Sequence, residues 1–220
     1  MTYCVGMVLD AGMVFLADSR TNAGVDQVST FRKVKVFEKP GERVIVLLSA
    51  GNLALTQGAT SILAERMAAQ EGESLNLSTC PNMFEAVRLV GEALREMHAR
   101  DYDALKSQGV DFNPSFIVGG QIKGEAPRLF HVYAAGNFIE ATPDTPYFQI
   151  GESKYGKPII DRVTRRSMPL SEAAKCALIS MDSTIRSNLS VGPPLDLVIV
   201  RRDEWRGACH VDIDGENRPL

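Results

Sequence analysis

Short apolar runs separated by glycine and acidic residues open the chain, and longer stretches of helical periodicity follow them. Tyr3 to Leu9 (YCVGMVL) and Met13 to Ala17 (MVFLA) are apolar throughout and flank Asp10-Ala11-Gly12, a hairpin signal. Val34 to Glu38 (VKVFE) alternates, Lys39-Pro40-Gly41-Glu42 turns, and Arg43 to Ala50 (RVIVLLSA) has the apolar character of a more buried strand. The first fifty residues are expected to hold four strands in two hairpins.

After Gly51 a helix is expected from Leu53 to Ala69, with Asn52 as its N-cap. The polar segment Glu71 to Asn82 reads as a loop. Phe84, Val87, Gly91, Leu94 and Met97 then fall at helical spacing with charged residues between them. They predict an amphipathic helix to about Lys106, with Gly109 just past its end. Strand signals return at Ser115 to Gly120, Arg128 to Ala134, Phe138 to Ala141 and Tyr147 to Ile150. Ala174, Ala177, Leu178, Met181 and Ile185 share one face of a helix expected from Glu172 to Ile185, just after Ser171. Leu195 to Val200 and Ala208 to Ile213 close the chain as a strand pair.

Strands clustered around hairpin turns favour antiparallel sheets over βαβ units. Two sheets packed face to face with helix pairs outside would bury every apolar face named. The expected fold class is therefore α+β, a four-layer α/β/β/α sandwich of two antiparallel sheets, in one domain over residues 1–220.

Composition narrows the function without naming it. The chain has 220 residues, with 24 Lys and Arg against 27 Asp and Glu, for a net charge of −3. No basic footprint for nucleic acid and no polybasic membrane patch is present. No signal peptide and no membrane-spanning run is read in the sequence. Cys4, Cys80, Cys176 and Cys209 lie too far apart in sequence for a CxxC or zinc pattern, and read as reduced thiols of a cytoplasmic protein. His98, His131 and His210 are also scattered, and nothing local suggests a triad or metal centre. Neither a cofactor nor a metal is expected.

The familiar GxSxG, Walker, HExxH and GxGxxG motifs are absent. A threonine follows the initiator methionine instead. Removal of Met1 would leave Thr2 with a hydroxyl nucleophile and a free α-amine, whose pKa of about 7.7–8.0 suits a base near neutral pH. Threonine at this position is common without catalytic meaning, so its neighbours matter. A lysine such as Lys33 would favour the less positive form of that amine, and Asp18 could hold the lysine in place. Gly51 at a strand end could bring its N–H to an oxyanion. Singly, Asp18 and Lys33 also fit a surface ion pair, and Gly51 fits a turn.

Taken together, MTYCVGMVLDAGMVFLADSRTNAG, then FRKV, then LLSAGN resemble the opening of proteasome-type β subunits and HslV-like peptidases. The wording MTYCVG with DSRTNAGVDQVSTFRKVKVFE is most similar to the Anbu, or ancestral β-subunit, group. The resemblance spans essentially the whole chain and implies the N-terminal nucleophile (Ntn) hydrolase fold. It implies Thr2 as nucleophile, Asp18 and Lys33 as its supporting pair, and Gly51 as the oxyanion-hole glycine. Thr21, Phe31, Ser49 and Leu53 would line the substrate pocket, although Phe31 and Leu53 fit a core role equally.

Two later positions depart from the family pattern. Gly151-Glu152-Ser153 puts a glutamate where the family has serine, and Ser187-Asn188-Leu189-Ser190 puts Ser187 in place of an aspartate while keeping Ser190. Glu152, Ser153 and Ser187 thus become candidates for tuning the site, and Glu152 is expected to raise the pKa of the α-amine. The resemblance implies a threonine-type peptidase cleaving peptide or amide bonds through an acyl ester. It also implies self-association into a ring or helical ring-like homo-oligomer, with an ATPase partner left open. Two alternatives stand beside it: a catalytically weak scaffold subunit, and an amidase for a small molecule.

Overall fold

The computed structural model describes residues 1–23, 27–69, 75–206 and 209–213. The chain opens with β1 (Tyr3–Leu9), β2 (Gly12–Asp18), β3 (Arg20–Ala23), β4 (Gln27–Thr30), β5 (Val34–Lys39) and β6 (Arg43–Ala50). Helices α1 (Leu53–Ala68) and α2 (Met83–Ser107) follow, then β7 (Ser115–Ile122), β8 (Arg128–Val132), β9 (Phe138–Glu140) and β10 (Tyr147–Gly151). The chain continues with α3 (Lys157–Val163), α4 (Leu170–Ser187), β11 (Leu195–Arg201) and β12 (Cys209–Ile213).

The strands form two antiparallel five-stranded sheets, in the orders β10-β1-β2-β11-β12 and β5-β6-β7-β8-β9. Side-chain alternation then sorts the apolar residues into three packed layers. On β1, Tyr3, Val5, Met7 and Leu9 face α3 and α4 with Ile160 and Met181. Cys4 and Val8 point, with Phe15 and Val198 of the same sheet, toward Val46 and Ile117 of the opposite sheet and fill the space between the two. Ile45 and Leu47 on β6 point the other way, toward Leu55, Val87 and Leu94 of α1 and α2. Strands covered on both faces need no polar alternation, which explains why β1 and β2 read as continuous apolar runs. The α/β/β/α order is as expected.

The N-terminal half differs in one respect. The first fifty residues hold six strands, because β3 and β4 pair as a separate two-stranded ribbon between β2 and β5. RTNA and QVST carry no apolar alternation, so nothing in their pattern marks them as strands. Asn52 caps α1 as expected, its side chain accepting from the N–H groups of Ala54 and Leu55. Asn82 caps α2 in the same way, accepting from Glu85 N–H. The last long helix begins at Leu170, ahead of Ser171, with Pro169 as N-cap and no side-chain cap. Positions 71–74 of the expected loop and residue 208 of the last expected strand lie outside the described residues.

Candidate active site

Strand register assembles the site. The pairing of β1 with β2 carries Tyr3 to a position facing Asp18, the last residue of β2. Tyr3 N–H donates to Asp18 Oδ1 at 2.9 Å. Lys33, which precedes β5, donates from Nζ to the same Oδ1 at 2.8 Å and to the Arg20 carbonyl at 2.7 Å. This is no surface pair: the side chains of Lys33 and Asp18 are 5% and 0% exposed. Burial raises the pKa of the Asp18 carboxyl, while the Lys33 charge, the Lys33 hydrogen bond and the Tyr3 N–H pull it back. The ammonium and the backbone donor offset part of what burial costs the carboxylate, and the pKa remains above its ordinary value.

On its other side, β1 pairs with β10 so that Tyr3 lies opposite Gly151. Glu152 N–H then donates to the Thr2 carbonyl at 2.7 Å, fixing the backbone of Thr2 from below. Gly151 has φ +89°, and a Cβ there would lie 2.0 Å from the Thr2 oxygen. Gly51 has φ +98°, and a Cβ there would lie 2.1 Å from the Asn113 oxygen. Both glycines permit backbone approaches that no other residue could match.

A cavity of about 560 Å³ opens above these residues, with Thr2, Thr21, Lys33, Ser49, Gly51 and Leu53 in its wall. Thr21 Oγ1 is buried there without a hydrogen-bond partner. A second cavity of about 540 Å³ shares Lys33, Ser49, Leu53 and Thr56 with the first and adds Phe31, which is 40% exposed. Phe31 is therefore a wall residue and not part of the core. Leu53 is half-buried and borders both cavities.

The later positions behave differently from one another. Glu152 is buried, its two carboxylate oxygens accepting from Lys154 N–H at 3.0 Å and from Asn188 Nδ2 at 2.9 Å. Asn188 Oδ1 in turn accepts from Ser190 N–H at 3.0 Å. Ser190 thus joins the network through its backbone, Ser153 is exposed, and Ser187 ends α4 facing solvent. Asn188, passed over in the sequence for its neighbour Ser187, makes the connection. A polar residue in a short turn carries no local mark of such a role; its partner lies 36 residues away.

The amine at this site belongs to Met1, which also lines the cavity. Its pKa is lowered, first by burial and then by the Lys33 charge, against the opposing pull of Asp18 and Glu152. On this Met1 amine Glu152 acts in the direction expected of it on the Thr2 amine, and burial and the Lys33 charge outweigh it. Among the described residues, no group of three or more His, Cys, Asp and Glu side chains could hold a metal ion. No described helix is long and apolar enough to cross a membrane.

A two-sheet sandwich between helix pairs, with Thr2 and Lys33 in the wall of one cavity and Lys33 paired with buried Asp18, is the arrangement to set beside known proteins. The proteasome subunit family model matches residues 2–200. Among solved structures, Anbu from Yersinia bercovieri superposes with a TM-score of 0.91 at 56% identity, covering 98% of this chain and 88% of its own. An Anbu (Gly-1) mutant from Hyphomicrobium sp. strain MC1 gives 0.90 at 53% identity with the same coverages. The structure described as a helical assembly of the Anbu complex from Pseudomonas aeruginosa gives 0.91 at 50%, again with those coverages. A search of curated proteins gave no match. The chain belongs to the proteasome subunit family, within its Anbu (ancestral β-subunit) group.

Proposed function

We propose that this protein is a threonine-type Ntn hydrolase that cleaves peptide or amide bonds once Met1 is removed. The observation that carries this reading is the buried Lys33–Asp18 pair beside Thr2 at the base of an open cavity. Burying an ion pair costs desolvation, and a pair held at such a place is a candidate for chemistry.

In the proposed reaction, Thr2 Oγ attacks the substrate carbonyl carbon as its proton passes to the Thr2 α-amine. The Lys33 ammonium favours the alkoxide and the neutral amine, and Asp18 holds that ammonium in place. The oxyanion receives the Gly51 N–H. Collapse of the tetrahedral intermediate expels the amine product, which takes the proton, and leaves an acyl ester on Thr2. Water, activated by the same α-amine, then releases the acid and regenerates the hydroxyl. Thr21, Phe31, Ser49 and Leu53 would contact the acyl side of the substrate.

The P. aeruginosa relative is described as a helical assembly, which supports self-association of this chain into a ring or helical homo-oligomer. Cytoplasmic residence accords with the buried free thiols of Cys4, Cys80 and Cys176. The test is intact mass of the protein from its native host, followed by reaction with a peptide β-lactone. Loss of Met1 and a single adduct, absent in Thr2→Ala, are expected. A Met1-free protein that forms no adduct and cleaves neither peptides nor small amides would favour the scaffold alternative.

A further inference from the structure

A third cavity, of about 480 Å³, adjoins the Thr2 cavity on the side away from Phe31 and shares Ala50, Gly51, Asn113 and Gly151 with it. Ser115, His131 and Lys157 belong to its wall, together with Gln149 and Ser153. An amide held over Thr2 has two arms. If the acyl arm runs toward Phe31 and Leu53, as the proposed function has it, the amine arm must cross the rim formed by Gly51 and Gly151. It then enters this third cavity.

The wall has a definite chemistry. Ser115 Oγ and His131 Nε2 are 2.8 Å apart, and the imidazole is flanked by the rings of Tyr133 and Phe148, with centroids 4.4 and 5.7 Å away. Burial lowers the pKa of His131 and so favours the neutral ring, which has one N–H to give. If Nε2–H donates to Ser115 Oγ, the hydroxyl proton is free to point into the cavity. Gln149 Nε2 is committed to the carbonyls of Ile150 and Glu152. No carboxylate is among the wall residues, while the Lys157 ammonium stands there, paired with Asp161 at 2.7 Å on the α3 surface. Hydrogen-bond donors, and an ammonium whose Asp161 partner lies outside the cavity wall, suit an anion.

We infer that this third cavity is the leaving-group subsite and selects a carboxylate on the residue that departs from Thr2, with Ser115 and His131 as the specificity-determining pair. The carboxylate can belong to an acidic side chain or to a free C-terminus directly after the cleaved bond. The inference rests on the hydrolase reading for its orientation, so its test has an arm that needs no turnover.

In the turnover arm, fluorogenic peptides identical on the acyl side carry Asp, Asn or Lys as the first leaving residue. A charge-assisted hydrogen bond should favour Asp over Asn by about tenfold in kcat/KM. Ser115→Ala and His131→Phe should reduce that preference to below about threefold, while labelling of Thr2 by an electrophile confined to the acyl side stays unchanged. In the binding arm, imidazole resonances of the intact protein are followed by NMR, with His131 assigned through His131→Phe. Asp-Ala-amide and free alanine are compared with Asn-Ala-amide and alanine amide. A saturable His131 shift with a carboxylate ligand, absent for its amide counterpart, supports the subsite and shows which carboxylate it takes. If Thr2 proves unreactive while His131 still responds, the hydrolase reading fails and the carboxylate site stands. Equal responses to acid and amide, or none, overturn the inference whatever the activity.

Discussion

Asn188 joins Glu152 to Ser190. Its Nδ2 donates to the Glu152 carboxylate at 2.9 Å, while its Oδ1 accepts from Ser190 N–H at 3.0 Å. The turn after α4 is thereby tied to the residue whose N–H holds the Thr2 carbonyl. A buried carboxylate is thus held in place beside Thr2, and the Met1 amine feels it, because Glu152 opposes the fall in its pKa.

A pH profile follows from that balance. In the proposed reaction the base is the neutral Thr2 amine. With the burial and Lys33 charge that lower the pKa of the Met1 amine at this site acting on it in the same way, the rising limb of kcat/KM should begin below about 8. Glu152→Gln removes the opposing charge while its side-chain oxygen can still accept from Asn188. The limb should move further down, with a higher rate at pH 7, whereas Lys33→Met should move it up. Hydrolysis of a fluorogenic peptide between pH 5 and 10 reads both shifts. An unmoved limb in Glu152→Gln would mean that the Thr2 amine, once exposed, does not sense this carboxylate.

Lys33→Ala should reduce Thr2 labelling by a hundredfold or more, about the effect of losing one positioned charge at a reacting group. The same change should cost stability, since it leaves Asp18 fully buried without its counter-ion, at about 3 kcal/mol or somewhat less. Asp18 can relieve part of that cost by taking up a proton, because burial already raises its pKa. The double variant Asp18→Asn, Lys33→Met should recover much of the lost Tm but none of the labelling. Thermal melts and labelling rates measured together separate the two roles of the pair.

Asn52 ties the start of the helix beside the cavity to Asn113, in the segment before β7. Its side chain accepts from Ala54 and Leu55 N–H, and its own N–H donates to Asn113 Oδ1. Asn52→Ala should cost about 1 kcal/mol, lowering Tm by about 2–4 °C in a chain of this size. Leu53 and Thr56 ride on the first turn of α1 and line both adjoining cavities, so KM should rise more than kcat falls. Differential scanning calorimetry and steady-state kinetics check the two halves of this expectation.

Much of this was legible in the chain because covered strands and amphipathic helices leave strong local patterns. Arg43 to Ala50 matches β6 to the residue, and the cap at Asn52 lies where its residue type predicts. Thr2, Lys33 and Gly51 are candidates on their chemistry, Ser49 only on the resemblance to a family, and the folded chain brings all four to one cavity. What escaped was non-local and polar. The β3–β4 ribbon lacks apolar alternation, and Asn188 finds Glu152 only through the register of β10 on β1 and the length of α4. His131 meets Ser115 because β7 and β8 are neighbours, a pairing that a histidine inside an apolar run does not announce.

Two glycines at the rim of the site give the sharpest structural test. At Gly151 an added Cβ would sit 2.0 Å from the Thr2 carbonyl oxygen, and at Gly51 2.1 Å from that of Asn113. Both obstacles are backbone atoms, so no rotamer change relieves the clash, and both positions have positive φ. Gly41 separates the two effects: its φ is +79° but an added Cβ would meet nothing within 4 Å. Gly41→Ala should therefore show backbone strain alone, about 1 kcal/mol, with Thr2 labelling unchanged. Gly151→Ala must push Thr2 away from β10 and stretch the 2.7 Å bond from Glu152 N–H, so stability and labelling should fall together. Gly51→Ala should move the proposed oxyanion donor and the Asn113 loop, lowering the acylation rate more than it lowers Tm. Melting temperatures and β-lactone labelling rates of the three variants, measured side by side, decide the matter. If Gly151→Ala labels like Gly41→Ala, the close approach of Gly151 to Thr2 plays no part in placing the nucleophile.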